Sequence, residues 1–263
     1  MDDPAAELTT NGVIVVPGFL AADRTAQLQR TVDDIYLHLD SLHQFPDRRF
    51  GDSFRGWRGV WLKLLPKVLR QERPDLEARY NALLQSIEAD VTRLLGRGWH
   101  FFAKRSYFRR HIGVAKAVPW HIDADAAGLY RVAASVINVW LPLDSVGDHL
   151  PSLDVVPRSH TVMRQVPLLT GNDLYRGDEF ASAIGPHRTP RLEPGDALIF
   201  DQFSLHRTQR TGAEKSMRTA CEFRFIRWAM PTLQGLNGRS RYAWHVLSKD
   251  GFLAARAKTL LGR

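Results

Sequence analysis

The sharpest chemical signal in the chain is Trp120-His121-Ile122-Asp123, an imidazole and a carboxylate two residues apart. In an extended strand, residues i and i+2 project to the same face, so both side chains could chelate one ion. The same two residues also read as a hydrogen-bonded pair at a strand end. A third ligand has to come from elsewhere. Among ten histidines His206 stands out, because it follows a Glu193-Pro194-Gly195-Asp196 turn and the apolar run Ala197-Leu198-Ile199-Phe200. Two His and one carboxylate make the facial triad of non-haem Fe(II) enzymes, which leaves positions open for a bidentate co-substrate and O2. The single cysteine, Cys221, excludes internal disulfides, Cys-based zinc fingers and iron–sulfur clusters. Any metal here is therefore expected on His and carboxylate ligands.

Such ligands need β-structure to hold them. Segments 99–109, 134–143, 153–156, 197–200 and 219–228 are strand-like, rich in β-branched or aromatic residues and bounded by Pro, Gly and Asp. No helices alternate between them, which argues for an antiparallel sandwich or jelly roll and against a parallel α/β sheet. Before residue 100 the pattern is different. Residues 12–18 read as a short strand ending in a turn. A helix follows, with Asp23 as its cap and Leu28, Val32, Ile35 and Leu39 on one stripe. A second amphipathic helix is expected at about 75–95, with Leu76, Tyr80, Leu83, Ile87, Val91 and Leu94 on its apolar face. Between them, residues 43–73 read as an ordered loop with a short helix around 61–69. The expected fold is mostly β with flanking α-helices, a single domain over 1–263. It comprises a helical N-terminal layer (about 1–98), a jelly-roll (double-stranded β-helix, cupin-like) core (about 99–230) and a C-terminal tail or helix (231–263).

Composition narrows the class further. The chain has 263 residues, 44% hydrophobic and 24% charged, which suits a globular protein with a sizeable core and excludes intrinsic disorder. No apolar run reaches the ~18 residues of a membrane span, and the polar, acidic start lacks a signal-peptide pattern. A cytoplasmic location is expected. The formal net charge of +8 points to anionic partners or simply to a basic surface. Eight Lys and Arg residues between Arg48 and Arg73 are interleaved with Phe50, Phe54, Trp57 and Trp61. This stretch suits recognition of a carboxylated or phosphorylated small molecule, or forms a solvated basic face. No recognised basic-aromatic motif for single strands appears, so nucleic acid is not the expected partner. Oligomeric state is not legible, and the amphipathic basic segment 251–263 could pack on the domain, close the site or pair with a second subunit.

Taken in order along the chain, several segments resemble the phytanoyl-CoA dioxygenase family of Fe(II)/2-oxoglutarate oxygenases. They are NGVIVVPGFL, WHID, VINVWLPLDSV, LDVVPRSH, LEPGDALIFDQFSLHRT and SMRTACEFRF, spread from residue 11 to 228. The resemblance implies a double-stranded β-helix, with His121, Asp123 and His206 as iron ligands. It also implies an Arg on the strand after the distal His that grips the far carboxylate of 2-oxoglutarate. That residue is Arg218, one position later than the family's usual spacing, with Arg210 and Arg207 as competitors. A buried carboxylate calls for such a planar, permanently charged donor. Tyr107, Arg109 and Asn138 lie where the family presents polar groups to 2-oxoglutarate or substrate. The pattern departs from the family at Asp148-His149-Leu150-Pro151-Ser152 and at Arg158, so His149 and His160 are read as loop residues, near enough to be weighed as substrate contacts.

By the same resemblance, Fe(II), 2-oxoglutarate and O2 would hydroxylate a small metabolite, an anionic one if the basic stretch 48–73 recognises it, at an unactivated C–H bond, releasing succinate and CO2. Asp123 stands where halogenating relatives carry Gly or Ala, so halogenation is not expected. The other outcomes weighed are desaturation, epoxidation or ring formation in a biosynthetic pathway, an oxygenase acting on nucleic acid, and a non-catalytic jelly-roll binding protein.

Overall fold

The computed structural model describes residues 3–41, 52–54, 57–62, 65–103, 106–111, 117–124, 134–165, 177–211 and 218–228. Helix α1 (Pro4–Asn11) starts where Asp3 accepts a hydrogen bond from the Ala5 amide, with proline in the first turn. It stops at Gly12, whose φ of 71° is a left-handed conformation that glycine adopts without a Cβ penalty. Strand β1 (Val13–Val16) leads into α2 (Ala22–Ser41), and the helices α3 (Leu65–Glu72) and α4 (Pro74–Leu95) follow. The expected stripes are the buried ones: Leu28, Val32, Ile35 and Leu39 on α2, and Leu76, Tyr80, Leu83, Ile87 and Val91 on α4. Leu95 closes the α4 stripe as a fully buried residue, and Leu94 is only partly buried.

These helices cover one face of a large antiparallel sheet in the order β1-β8-β6-β10-β5-β3 (Trp57–Trp61)-β2 (Asp52–Phe54), with β4 (His100–Phe101) also paired to β10. Its strands include β5 (Tyr107–His111), β6 (Ala134–Pro142), β8 (Ala197–Asp201) and β10 (Arg218–Trp228). Strand alternation divides the sheet chemically. Cys221, Phe223 and Phe225 of β10, Phe108 of β5, Ile137 and Val139 of β6 and Ile199 of β8 join the helices in one apolar core. There the Phe108 ring meets Phe223 and Tyr80 edge-on, at 6.1 and 6.2 Å. The opposite face carries Tyr107, Arg109, Asn138, Trp140, Phe200, Arg218, Glu222 and Arg224.

That second face is roofed by a smaller sheet of β7 (Leu153–Val155) and β9 (His206–Thr208). It widens by single bridges from His121 to His206 and from Arg188 to Val155. Trp140, Leu198 and Phe200 of the large sheet pack against Val146, Leu153, Val155 and Leu192, completing a jelly roll. The turn before β8 ties the layers together. Asp196 accepts from the amides of Gly18 and Glu193, at 2.8 and 2.9 Å, and the Leu20 amide donates to the Gly195 carbonyl.

The sequence reading needs two corrections. Residues 43–73 are not a loop with one helix: β2 (Asp52–Phe54) and β3 (Trp57–Trp61) form a hairpin, and the helix runs Leu65–Glu72 instead of 61–69. The hairpin is recruited by β5, which pairs residue by residue with β3 from Trp57↔His111 to Trp61↔Tyr107. A partner so distant in sequence leaves no local signature. The N-terminal layer is therefore not purely helical, since β1, β2 and β3 all extend the large sheet. Much of the basic stretch between 48 and 73 and the tail 229–263 lie outside the described residues.

Candidate metal centre

His206 opens β9, in the short stretch that follows the buried strand β8. His121 pairs with it across a single bridge, its amide donating to the His206 carbonyl at 2.9 Å and its carbonyl accepting from the His206 amide at 3.0 Å. Asp123 departs from the expected strand geometry. It begins a helical turn, and the next amide, that of Ala124, donates to the Gln202 carbonyl at 2.9 Å. The bridge and the turn together bring onto one spot what strand alternation alone would have supplied.

Among the described residues, ligand atoms of His121, Asp123 and His206 all lie within 4.8 Å of one another. The Nε2 atoms of both histidines stand 3.9 Å from the Asp123 carboxylate oxygens. The far side of each ring is already occupied: Nδ1 of His121 faces the Pro119 carbonyl at 2.8 Å and Nδ1 of His206 faces the Ser204 carbonyl at 2.9 Å. Donation from Nδ1 to those carbonyls leaves Nε2 as a lone pair aimed inward, the tautomer a metal ligand needs. Burial, helped by the neighbouring His206, pulls the His121 imidazole from 6.5 to about 4. Burial also lowers His206. Both rings are therefore neutral at pH 7. Burial would push the Asp123 carboxyl up, but Arg224, His206 and His121 outweigh it and hold it below the usual carboxylate range. Two neutral imidazoles and one carboxylate on one side of a point fit a divalent, borderline-hard ion such as Fe(II).

Of the other residues singled out from sequence, Arg218 is 2% exposed on the inner face of β10. Its guanidinium donates to the Pro151 carbonyl and stands 5.3 Å from the Trp140 ring centre. Burial, with Arg109 nearby, lowers it to about 10. Its competitors are placed elsewhere. Arg207 alternates away from His206 to an ion pair with Asp154 at 2.7 Å, above the Trp120 ring, and Arg210 is exposed. Tyr107 and Arg109 share the chamber with Arg218: Arg109 donates to the Tyr107 hydroxyl at 2.6 Å and pairs with Glu222 at 3.4 Å. Asn138 is buried in the same wall, and neither polar atom of its amide has a hydrogen-bond partner among the described residues. His160 is not a loop residue: it lies in the short helix Ser159–Met163, buried, with Nε2 facing the Thr9 carbonyl at 3.1 Å. His149 is exposed.

Sequence reasoning passed over Arg224, which reaches across the chamber to Asp123 at 2.9 Å. A signal for it was present. In Arg218-Thr219-Ala220-Cys221-Glu222-Phe223-Arg224 one face is apolar and the other charged, and both faces of this central strand are covered.

A jelly roll with a two-His, one-carboxylate constellation between its sheets defines the class of the non-haem iron oxygenases. The sequence matches the family model described as phytanoyl-CoA dioxygenase over residues 8–220. The chain belongs to that family, and so to the Fe/2-oxoglutarate-dependent oxygenases. Solved structures agree in fold. AviO1 from Streptomyces viridochromogenes Tue57 is similar with a TM-score of 0.59 and 18% identity, covering 88% of this chain and 97% of that one. EctD from S. alaskensis, crystallised with 2-oxoglutarate and 5-hydroxyectoine, has a TM-score of 0.56 and 20% identity, covering 86% and 77%. The epimerase SnoN, in complex with Fe3+, alpha ketoglutarate and nogalamycin RO, has a TM-score of 0.53 and 17% identity, covering 86% and 82%. No curated protein matches the sequence. Among the described residues no helix is long and apolar enough to cross a membrane.

Proposed function

We propose that this chain is an Fe(II)- and 2-oxoglutarate-dependent hydroxylase of a small, anionic metabolite. The reaction inserts one oxygen atom of O2 into a C–H bond, while the other oxidises 2-oxoglutarate to succinate and CO2. The observation that carries the reading is the convergence of His121, Asp123 and His206 with both Nδ1 atoms already tied to backbone. Held by these three residues, ferrous iron would activate O2, the oxidant, and so couple the oxidative decarboxylation of 2-oxoglutarate to attack on the substrate C–H bond.

The protein's own part is to place and to shield. His121, Asp123 and His206 occupy one side of the metal position and leave the other for co-substrate and O2. Arg218 takes the distal carboxylate of 2-oxoglutarate, because its fixed charge is buried within the walls and its planar fork suits a carboxylate. Asn138 presents its unmatched amide to the same co-substrate, beside Arg109 and Tyr107. Phe200, whose ring lies 4.6 Å from that of His206, and Trp140 keep this end of the chamber apolar and dry. SnoN is an epimerase within the same fold, so product analysis is part of the test. A hydroxylase product gains one oxygen atom, desaturation or ring closure removes two hydrogens, and epimerisation leaves the mass unchanged.

Anaerobic titration of the apo-protein with Fe(II) and then 2-oxoglutarate tests the assignment. The weak visible charge-transfer band of the chelate is expected in the wild type and absent in His206→Ala. Arg218→Gln should need about tenfold or more 2-oxoglutarate to develop it. Folded wild-type protein without the band would refute the cofactor assignment.

A further inference from the structure

We infer that Arg224 is a positioning residue for the metal carboxylate, holding Asp123 so that it offers one oxygen to the ion and keeps the opposite positions open. The inference rests on the reading of Asp123 as a ligand. Arg224 is 3% exposed, and its Nη2 lies 2.9 Å from Asp123 Oδ1. Both oxygens border the metal position, Oδ1 at 3.9 Å from His121 Nε2 and Oδ2 at 3.9 Å from His206 Nε2. Oδ1 thus carries a charged donor, while Oδ2 is turned toward the distal histidine.

The mounting of Arg224 is rigid for a reason visible in the sheet. Strand β10 pairs with β5 as far as Glu222↔Tyr107 and with β4 from Phe225↔Phe101, so Arg224 falls at the changeover. Its amide donates to Ser106 Oγ at 2.8 Å, its carbonyl accepts from the Phe102 amide at 2.7 Å, and Ser106 Oγ donates to the Phe102 carbonyl at 2.8 Å. On the other side it stands in register with Asn138 of β6. From this anchored backbone the guanidinium passes the Tyr107 ring, 5.6 Å from its centre, to the far wall. A buried ion pair adds little net stability over an apolar pair of similar volume, so packing alone does not account for an arginine here. A carboxylate free to turn could chelate with both oxygens and occupy a position that a bidentate keto acid requires. The Arg224 guanidinium, engaged on Oδ1, opposes that turn.

Co(II), a spectroscopic stand-in for Fe(II), tests this on the full-length protein without turnover. Arg224→Gln is expected to bind Co(II), to show a changed visible spectrum, and to bind 2-oxoglutarate about 10–100-fold more weakly in the Co(II) form. Arg224→Lys should recover part of both. If Arg224→Gln does not unfold cooperatively, Arg224→Lys carries the same comparison alone. A wild-type Co(II) spectrum and wild-type 2-oxoglutarate affinity in either folded variant would overturn the inference while leaving the metal site intact. Wild-type protein that takes up no Co(II) would remove the metal assignment itself, and this inference with it.

Discussion

Imidazoles that stay neutral in the folded state leave a mark on stability, and the mark has a definite sign. In the unfolded chain His121 takes a proton near its ordinary 6.5, whereas in the folded protein it does so only at about 4. Between those values the unfolded state binds more protons, so the metal-free protein loses stability as pH falls from 6.5 toward 4 and recovers it above 6.5. The slope for one such histidine is at most about 1.4 kcal/mol per pH unit, and the lowered His206 adds to it in the same direction. Thermal melts of the apo-protein between pH 7 and pH 4.5 should show the decline, and His121→Asn should make it shallower. A flat profile would mean that the two rings are not held neutral. The grouping of His121, Asp123 and His206 was readable because their types and order along the chain are distinctive. For Arg224 the alternation along β10 marks a charged face, but nothing local says that this face is enclosed.

At the scale of elements, the active end of the fold depends on how α1 stops. Gly12 ends that helix at φ 71°, and its carbonyl accepts from Ser204 Oγ at 2.7 Å and from the Asp201 amide at 2.9 Å, just ahead of His206. A Cβ at position 12 would lie 2.2 Å from His160 Nδ1. Gly12→Ala therefore meets both a conformational penalty and a ring that is itself held by the Thr9 carbonyl. A loss of about 1–3 kcal/mol or more is expected in urea unfolding, together with weaker metal uptake. Stability equal to the wild type would show that the α1 end and His160 can separate freely. Strands β6, β7, β8 and β10 and the stripes of α2 and α4 were legible, because turn residues and periodicity are local, whereas α1 and the glycine that ends it are missing from a sequence reading that begins with a strand over 12–18. The β2–β3 hairpin was not, because what makes it a strand pair is β5 lying beside it.

For the molecule as a whole, the surplus of positive charge has an interior component. Arg109, Arg218 and Arg224 face the space between the sheets against Asp123 and Glu222. Three arginines against two carboxylates leave one positive charge, which a bound Fe(II) would raise to three; a dianionic co-substrate would answer two of these, and the anionic substrate proposed above would answer the third. Succinate formation measured across a panel of small metabolites should accordingly be stimulated by carboxylated or phosphorylated compounds, with a response that weakens as ionic strength rises. Stimulation confined to neutral compounds would refute an anionic substrate.

What the sequence determined by itself was the chemistry on offer: a Cys-poor chain with His121, Asp123 and His206 in family order, strands bounded by turns, and amphipathic helices to cover them. Each of these is written in residue type and short-range spacing. Tertiary structure decided which of those groups meet. The single bridge between His121 and His206, the helical turn that swings Asp123 into place, the outward turn of Arg207 and the reach of Arg224 all arise where two sheets close on each other. Contacts of that kind join residues far apart in the chain, and no local pattern encodes them.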